Sequence, residues 1–248
     1  MIKIENTDVY GWKAAVRGMR NPMNSWSNSD SFVPCYLKMK CHECEANQKC
    51  AYYFEDGNGL PYKKDEFIGA RDLDLMNRLC NAGTDHGKFM RMITITCDIT
   101  APLYWWKEAD QYKVGTVTNS CSTMHKIHAK EFTINDFSYE HLMNAAIVTL
   151  SHTINDLNQS REVYLYGGEL CDKHGNWTHF EPKDKEVWWQ MIQLLPSSYN
   201  QRRTILLNYA VLRNMYHARK NHRLDEWHTF CKWIETLPYS ELITGKED

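Results

Sequence analysis

Hydrophobic and polar positions along this chain follow two periods, and the change between them marks its main elements. Across residues 72–82, Leu73, Met76, Leu79 and Cys80 share one face at helical spacing, and Gly83 stands where a helix would stop. Across 89–100 the period becomes two. Phe89, Arg91, Ile93, Ile95, Cys97 and Ile99 face one way, against Met90, Met92, Thr94, Thr96, Asp98 and Thr100. This predicts a strand rich in β-branched residues. Pro102 ends it and suits the start of a helix over 104–112. Beyond Lys126 the spacing is mostly helical. Leu142, Ala145, Ala146, Leu150 and Ile154 predict a helix over about 136–166, a shorter one over 183–195 stops at Pro196, and 203–220 with 224–237 form a final helical pair. One strand region in the first half, amid many helices, predicts an α+β protein.

Residues 1–70 are the least regular part, with turn-rich pieces on either side of a cysteine-rich stretch at 35–50. No internal repeat, low-complexity tract or long Pro/Gly/Ser linker appears, so the expectation is one continuous domain, 1–248, with its regular core over 71–248. The net charge of -2 provides no basic footprint and argues against bulk nucleic-acid binding, while leaving room for a local anion site. The opening MIKIENTDVYGWK has no apolar core of leader length, and no stretch approaches a membrane span. A cytoplasmic protein is expected. Nine cysteines without a leader read as reduced thiols or metal ligands rather than a disulfide framework. Cys35, Cys41, Cys44 and Cys50, spaced C-x5-C-x2-C-x5-C, are the inventory for one structural zinc or, alternatively, small buried hydrophobes. Aromatic content of 12% supplies core and interface area first, and stacking surface for a flat ligand second.

Two polar stretches carry candidate chemistry. In NYAVLRNMYHAR, residues 208–219, a helix places Asn208, Leu212, Met215 and Arg219 within about 60° of one another. An arginine on such a stripe needs an anion, either a phosphate gripped by its planar fork or a core carboxylate such as Asp225 or Glu226. The other stretch is PLYWWKEADQYKVGTVTNSCSTMH, residues 102–125, directly after the predicted strand. His125 and His128 read as loop histidines, and Trp105-Trp106 and Trp188-Trp189 as packing aromatics. No P-loop, G-x-G-x-x-G or G-x-S-x-G motif is present.

In this order the two stretches resemble the nucleotide and flavin site of flavin-dependent thymidylate synthases. That family has a C-terminal helix of the form N-x-x-x-L-x-N-x-x-x-x-R, which Asn208, Leu212, Asn214 and Arg219 match, with His222 and Asp225-Glu226-Trp227 following slightly out of register. Counting from Pro102, Lys107 and Glu108 occupy the family's R-Q positions, and Gln111, Tyr112 and Lys113 replace its R-H-R triplet. Thr116 stands for the first Ser, and, with one inserted residue, Asn119 and Ser122 match the following N-x-x-S. The upstream H-x-S-P-F-E survives only as Phe89 within DHGKFM, without its acid. The resemblance spans residues 72–227.

The resemblance implies a central antiparallel sheet flanked by helices, in a homotetramer with sites at subunit interfaces. It implies dUMP or a related pyrimidine nucleotide as ligand, with Arg219 and Lys113 on phosphate and Asn119 and Ser122 on base and sugar. Asn208, Asn214, Gln111 and Tyr112 would face FAD, and folate would supply one carbon in a reductive methylation. No protein nucleophile is then required, because the cofactors carry the hard step. The change from Arg-His-Arg to Gln-Tyr-Lys keeps one point charge and loses the bidentate clamps. Tyr112 offers a ring either for stacking on a base or for core packing. The alternative reading is a nucleotide-binding homo-oligomer that has lost flavin chemistry.

Overall fold

The computed structural model describes residues 2–31 and 68–245, and the backbone of 54–55 and 61–62. In chain order the elements are β1 (Lys3–Tyr10), α1 (Trp12–Arg20), the two-residue strands β2 (Phe54–Glu55) and β3 (Pro61–Tyr62), α2 (Ala70–Asn81), a 3-10 segment (His86–Met92), β4 (Thr94–Pro102), α3 (Leu103–Ala109), β5 (Val117–Ser120), α4 (Thr123–Lys126), α5 (Asn144–Tyr166), β6 (Gly168–Cys171), β7 (Trp177–Phe180), α6 (Lys185–Leu194), β8 (Asn200–Asn208), α7 (Tyr209–Arg219), α8 (Asp225–Glu235) and α9 (Glu241–Thr244). The fold is α+β, an antiparallel sheet flanked by helices. The chain divides into two compact units: Met1–Thr7, Thr96–Leu206 and Asn221–Phe230 form the first, and Asp8–Ile95, Leu207–Lys220 and Cys231–Asp248 the second.

The main sheet has the order β1-β4-β8-β5, and most of its residues belong to the first unit. Strand β4 shows the predicted alternation, with Ile95, Cys97, Ile99 and Ala101 buried against half-buried Thr94, Thr96, Asp98 and Thr100. On its polar face Asp98 accepts from Thr204 Oγ1, Arg202 Nη2 (2.7 Å) and Asn6 Nδ2 (2.8 Å), which hold its carboxyl well below the usual carboxylate range. Strand β5 runs antiparallel to β8, from Val117 opposite Leu206 to Ser120 opposite Arg203. A separate core cluster joins Leu150, Ile154 and Leu157 of α5 to Met191 of α6, with Ile127, Phe132 and Phe137. The hairpin β6-β7 adds Leu170, beside Val163 and Val187.

In the second unit, Trp12 of α1 meets Tyr209 and Tyr239 edge-on, with ring centroids 5.3 and 5.0 Å away. Helix α2 buries Met76 and Cys80, as its spacing predicts, and also Asp72, which faces Arg20 of α1. Asp30 caps this helix, accepting from the backbone N–H of Arg71 (2.9 Å) and Asp72 (3.1 Å).

Three sequence-based boundaries are corrected. Residues 86–92 form 3-10 turns, so the strand begins at Thr94 instead of 89. The adjacent Phe89 and Met90 are both buried, which one face of a strand does not permit. The helix expected over 136–166 starts only at Asn144, because Phe137 bridges Tyr199 and Ser138 N–H donates to Ser198 O, holding that stretch extended. Leu142, Ala145 and Ala146 are consequently exposed, while Leu150 and Ile154 are buried. The helix expected over 203–220 is two elements, β8 to Asn208 and then α7. Strands therefore occupy the second half as well as the first. The inward positions of β8 include Gln201 and Arg203, polar residues that conceal the period of two.

Candidate functional site

In the first unit the 102–125 stretch is built outward from β4. Pro102 precedes α3, and that helix buries Trp105 and Trp106. Arg203 of β8 lies 4.1 Å over the Trp106 ring, while its Nη1 donates to Asp110 (2.8 Å) and its Nε to Gln201 (2.9 Å). Arg203 therefore pins the C-terminal end of α3 to the sheet. The next residues turn tightly: Gln111 N–H donates to Glu108 O, Tyr112 N–H to Ala109 O, and Thr116 Oγ1 to Tyr112 O (2.8 Å). Gly115 follows at φ 73. This turn presents Gln111 and Lys113 to solvent and keeps Tyr112 half-buried, edge-on to Trp227 at 6.3 Å.

Asn119 stands exposed on β5, opposite Thr204. Ser122 is the N-cap of α4, its hydroxyl oxygen accepting from His125 N–H at 3.1 Å. That commits an acceptor lone pair to the backbone and leaves the O–H as the group able to meet a ligand.

Beneath the turn lies a polar cluster that the residue patterns do not reveal. Glu108 Oε2 accepts from Trp227 Nε1 (3.3 Å) and faces His222 Nε2 at 3.2 Å. His222 Nδ1 accepts from Leu224 N–H (3.2 Å), so the neutral imidazole carries its proton on Nε2, toward Glu108. Tyr104 donates its hydroxyl to the buried Glu226, and burial together with that carboxylate pushes the phenol well above its usual range. Asp225 lies 3.1 Å from His141 and 3.5 Å from His228. The only sequence signal for this cluster is the His222/Asp225-Glu226-Trp227 run after α7.

The remaining candidates lie in the second unit. Asn208 is buried as the N-cap of α7, its Oδ1 accepting from Val211 N–H at 3.0 Å. Leu212 and Met215 are buried below it, as the helical stripe predicts, and half-buried Arg219 is the last residue of α7. Asn214 is exposed on another side of the helix. Gln111, Tyr112, Lys113, Asn119 and Ser122 thus belong to the first unit, and Asn208, Asn214 and Arg219 to the second. Cys35, Cys41, Cys44 and Cys50 fall outside the described residues. Among the described residues, no group of three or more His, Cys, Asp or Glu side chains is placed to hold a metal ion. No helix among them is long and apolar enough to cross a membrane.

No protein-family model and no curated protein sequence matches this chain. Solved structures do. Two structures of flavin-dependent thymidylate synthase ThyX from Helicobacter pylori, each with FAD and dUMP, align over 98% of this chain and 98% of theirs. The TM-scores are 0.59 and 0.58, at 13% and 12% sequence identity. The fold is that of the flavin-dependent thymidylate synthases. At this identity the likeness concerns the path of the chain, and the chemistry rests on the side chains.

Proposed function

We propose that this chain is a thymidylate-synthase-like protein that acts on or binds dUMP or a related pyrimidine nucleotide, as a homo-oligomer. The observation that carries the reading is the turn at 110–116, pinned by Arg203, which presents Gln111 and Lys113 to solvent beside Tyr112 in a fold whose solved relatives hold dUMP. In the first unit Lys113 offers phosphate a point charge, and Asn119 and the Ser122 O–H offer hydrogen bonds to base and sugar. In the second, Arg219 offers a guanidinium to the same class of ligand.

FAD fits the donor set in part. Gln111 and Asn214 present exposed amides and Tyr112 a ring edge, groups suited to the rim of a flavin. Asn208 is buried with its Oδ1 committed to capping α7, and none of the four residues carries a charge for the FAD diphosphate. When bound, flavin would supply the hydride and folate the carbon of a reductive methylation. The chain's own contribution would be to bind and orient them. The loss of two cationic or imidazole groups from the triplet favours a second reading, a nucleotide binder without flavin chemistry.

The deciding experiment is an absorbance spectrum of purified protein before and after FAD addition and gel filtration, paired with calorimetric titration of dUMP. Nucleotide binding with a retained flavin band supports the enzyme, to be tested next for dUMP turnover. Nucleotide binding without flavin supports the second reading. Absence of binding by dUMP and by other pyrimidine nucleotides overturns both.

A further inference from the structure

A cleft in the first unit lies apart from the residues described above. The hairpin β6-β7 lines one side and α6 the other, and the cavity between them has a volume of about 410 Å³. That lies within the ~300–1,000 Å³ of small-molecule sites. Its floor is apolar. Buried Leu170 and Val187 pack with Val163, and half-buried Phe180 lies against them. Phe180 pairs with Gly168 across the hairpin, which puts it on the same face as Leu170.

The rim is polar. On α6, Glu186, Gln190 and Gln193 recur at spacings of four and three and share one face, with the 43% accessible indole of Trp189 beside them. This stripe runs roughly 10 Å along the helix. The hairpin contributes Asp172 and Lys173. Among the described residues, the side chains of Lys173, Glu186, Gln190 and Gln193 make no hydrogen bond or ion pair. Their donors and acceptors are therefore available above an apolar floor, the arrangement that orients a small ligand.

Charge selects the class of ligand. Asp172 accepts from the N–H of His174 (2.8 Å) and Asn176 (2.9 Å) and from Thr178 Oγ1 (3.1 Å), three bonds that favour its ionised form. Two carboxylates and one ammonium thus line the cavity. The surrounding segment 168–193 carries five Asp and Glu against three Lys. A phosphate or carboxylate meets net repulsion here, and a cation meets attraction. The exposed Trp189 ring adds to that attraction and, with Phe180, offers area to a flat apolar body. We propose that this cleft binds a small organic amine with a flat apolar body. Glu186 and Asp172 receive the protonated amine, Trp189 and Phe180 take the ring, and Gln190 and Gln193 meet its polar substituents. None of the nucleotide or flavin candidates lines the cleft, so the inference stands apart from the nucleotide reading.

Cys171 is exposed and lines the same cavity, so its reactivity reports occupancy. The full chain is alkylated with iodoacetamide at about pH 8, where exposed thiols react. Peptide mass spectrometry then gives the rates at Cys171 and at Cys121, an exposed thiol outside the cleft. The probes are tyramine and 3-(4-hydroxyphenyl)propionate, which share a phenol ring and differ in carrying an amine or a carboxylate. A ligand of about ten non-hydrogen atoms binds with a Kd on the order of 1 mM. Tyramine at about 10 mM should therefore slow Cys171 roughly 10-fold and leave Cys121 unchanged. The propionate should slow neither. Glu186→Gln and Trp189→Ala should each remove most of the protection, with circular dichroism showing both variants folded. If the propionate protects as well as tyramine, or Glu186→Gln protects as well as wild type, charge does not select the ligand and the proposal is wrong. If neither probe slows Cys171 relative to Cys121, the cleft holds no ligand of this class.

Discussion

Replacing Asp72 by alanine tests whether the ion pair inside the second unit holds it together. Asp72 is fully buried and Arg20 is 6% accessible. Its Oδ1 accepts from Arg20 Nε (2.6 Å) and Nη2 (2.5 Å), and its Oδ2 from Ser29 Oγ (2.6 Å), Ser31 Oγ (2.6 Å), Ser31 N–H (3.1 Å) and Asp30 N–H (3.2 Å). One carboxylate thus ties together α1, the 29–31 segment and α2. With it gone, the Arg20 charge keeps, among the described residues, only Ser25, whose O and Oγ lie 3.2 and 3.4 Å away. Breaking such a buried pair costs about 3–5 kcal/mol. At roughly 2–4 °C per kcal/mol for a chain of this size, the melting temperature should fall by about 6–20 °C.

The pH dependence supplies a second, independent readout. Burial alone would raise the Asp72 carboxyl, but hydrogen bonds from Ser29, Ser31 and Arg20 outweigh it and leave it below its ordinary value. In acid the unfolded chain therefore binds the proton first. The stabilisation is complete above the unfolded value of about 4 and disappears as pH falls through the folded one. Urea unfolding at pH 7 and at steps below pH 5 should show a wild-type advantage over Asp72→Ala that shrinks as acid is added. A loss below about 1 kcal/mol at pH 7, or an advantage unchanged down to pH 3, would refute the reasoning.

Other outcomes follow from single features. Gly11 has φ 95, and a Cβ there would lie 1.9 Å from Met92 O, so Gly11→Ala should destabilise by more than ~2 kcal/mol in urea unfolding. Burial pushes the thiols of Cys80 and Cys231 up to about 11 and that of Cys97 to about 12, while Cys121 and Cys171 are exposed. Native protein treated with a thiol reagent at pH 8 should lose one fast-reacting group on Cys121→Ser and one on Cys171→Ser, but none on Cys97→Ala. Lys113→Ala should weaken dUMP binding about 10- to 100-fold by calorimetry, as for loss of one charged hydrogen bond. Arg219→Ala should abolish the thermal shift that dUMP produces, and an unchanged shift would remove Arg219 from the site.

The sequence determined most where a pattern was written in one chemical language. Met76 and Cys80 on α2, and Ile95, Cys97 and Ile99 on β4, are buried as their spacing predicts, because apolar residues repeat at the period of the element. The Asn208–Arg219 helix was legible for the same reason in Leu212 and Met215, and the resemblance pointed to a fold that the solved structures share. Tertiary structure decided the rest. Strand β8 places Gln201 and Arg203 inward, acceptable only because Cys121 O accepts from Gln201 and the Trp106 ring and Asp110 receive Arg203, partners distant in sequence. Glu108, Trp227 and His222 likewise meet across more than a hundred residues. Asp72 sits on the buried face of an ordinary amphipathic helix, and nothing near it in the chain announces Arg20. A buried polar group is tolerated only when its partner is present, and that partner is set by chain topology rather than by local period.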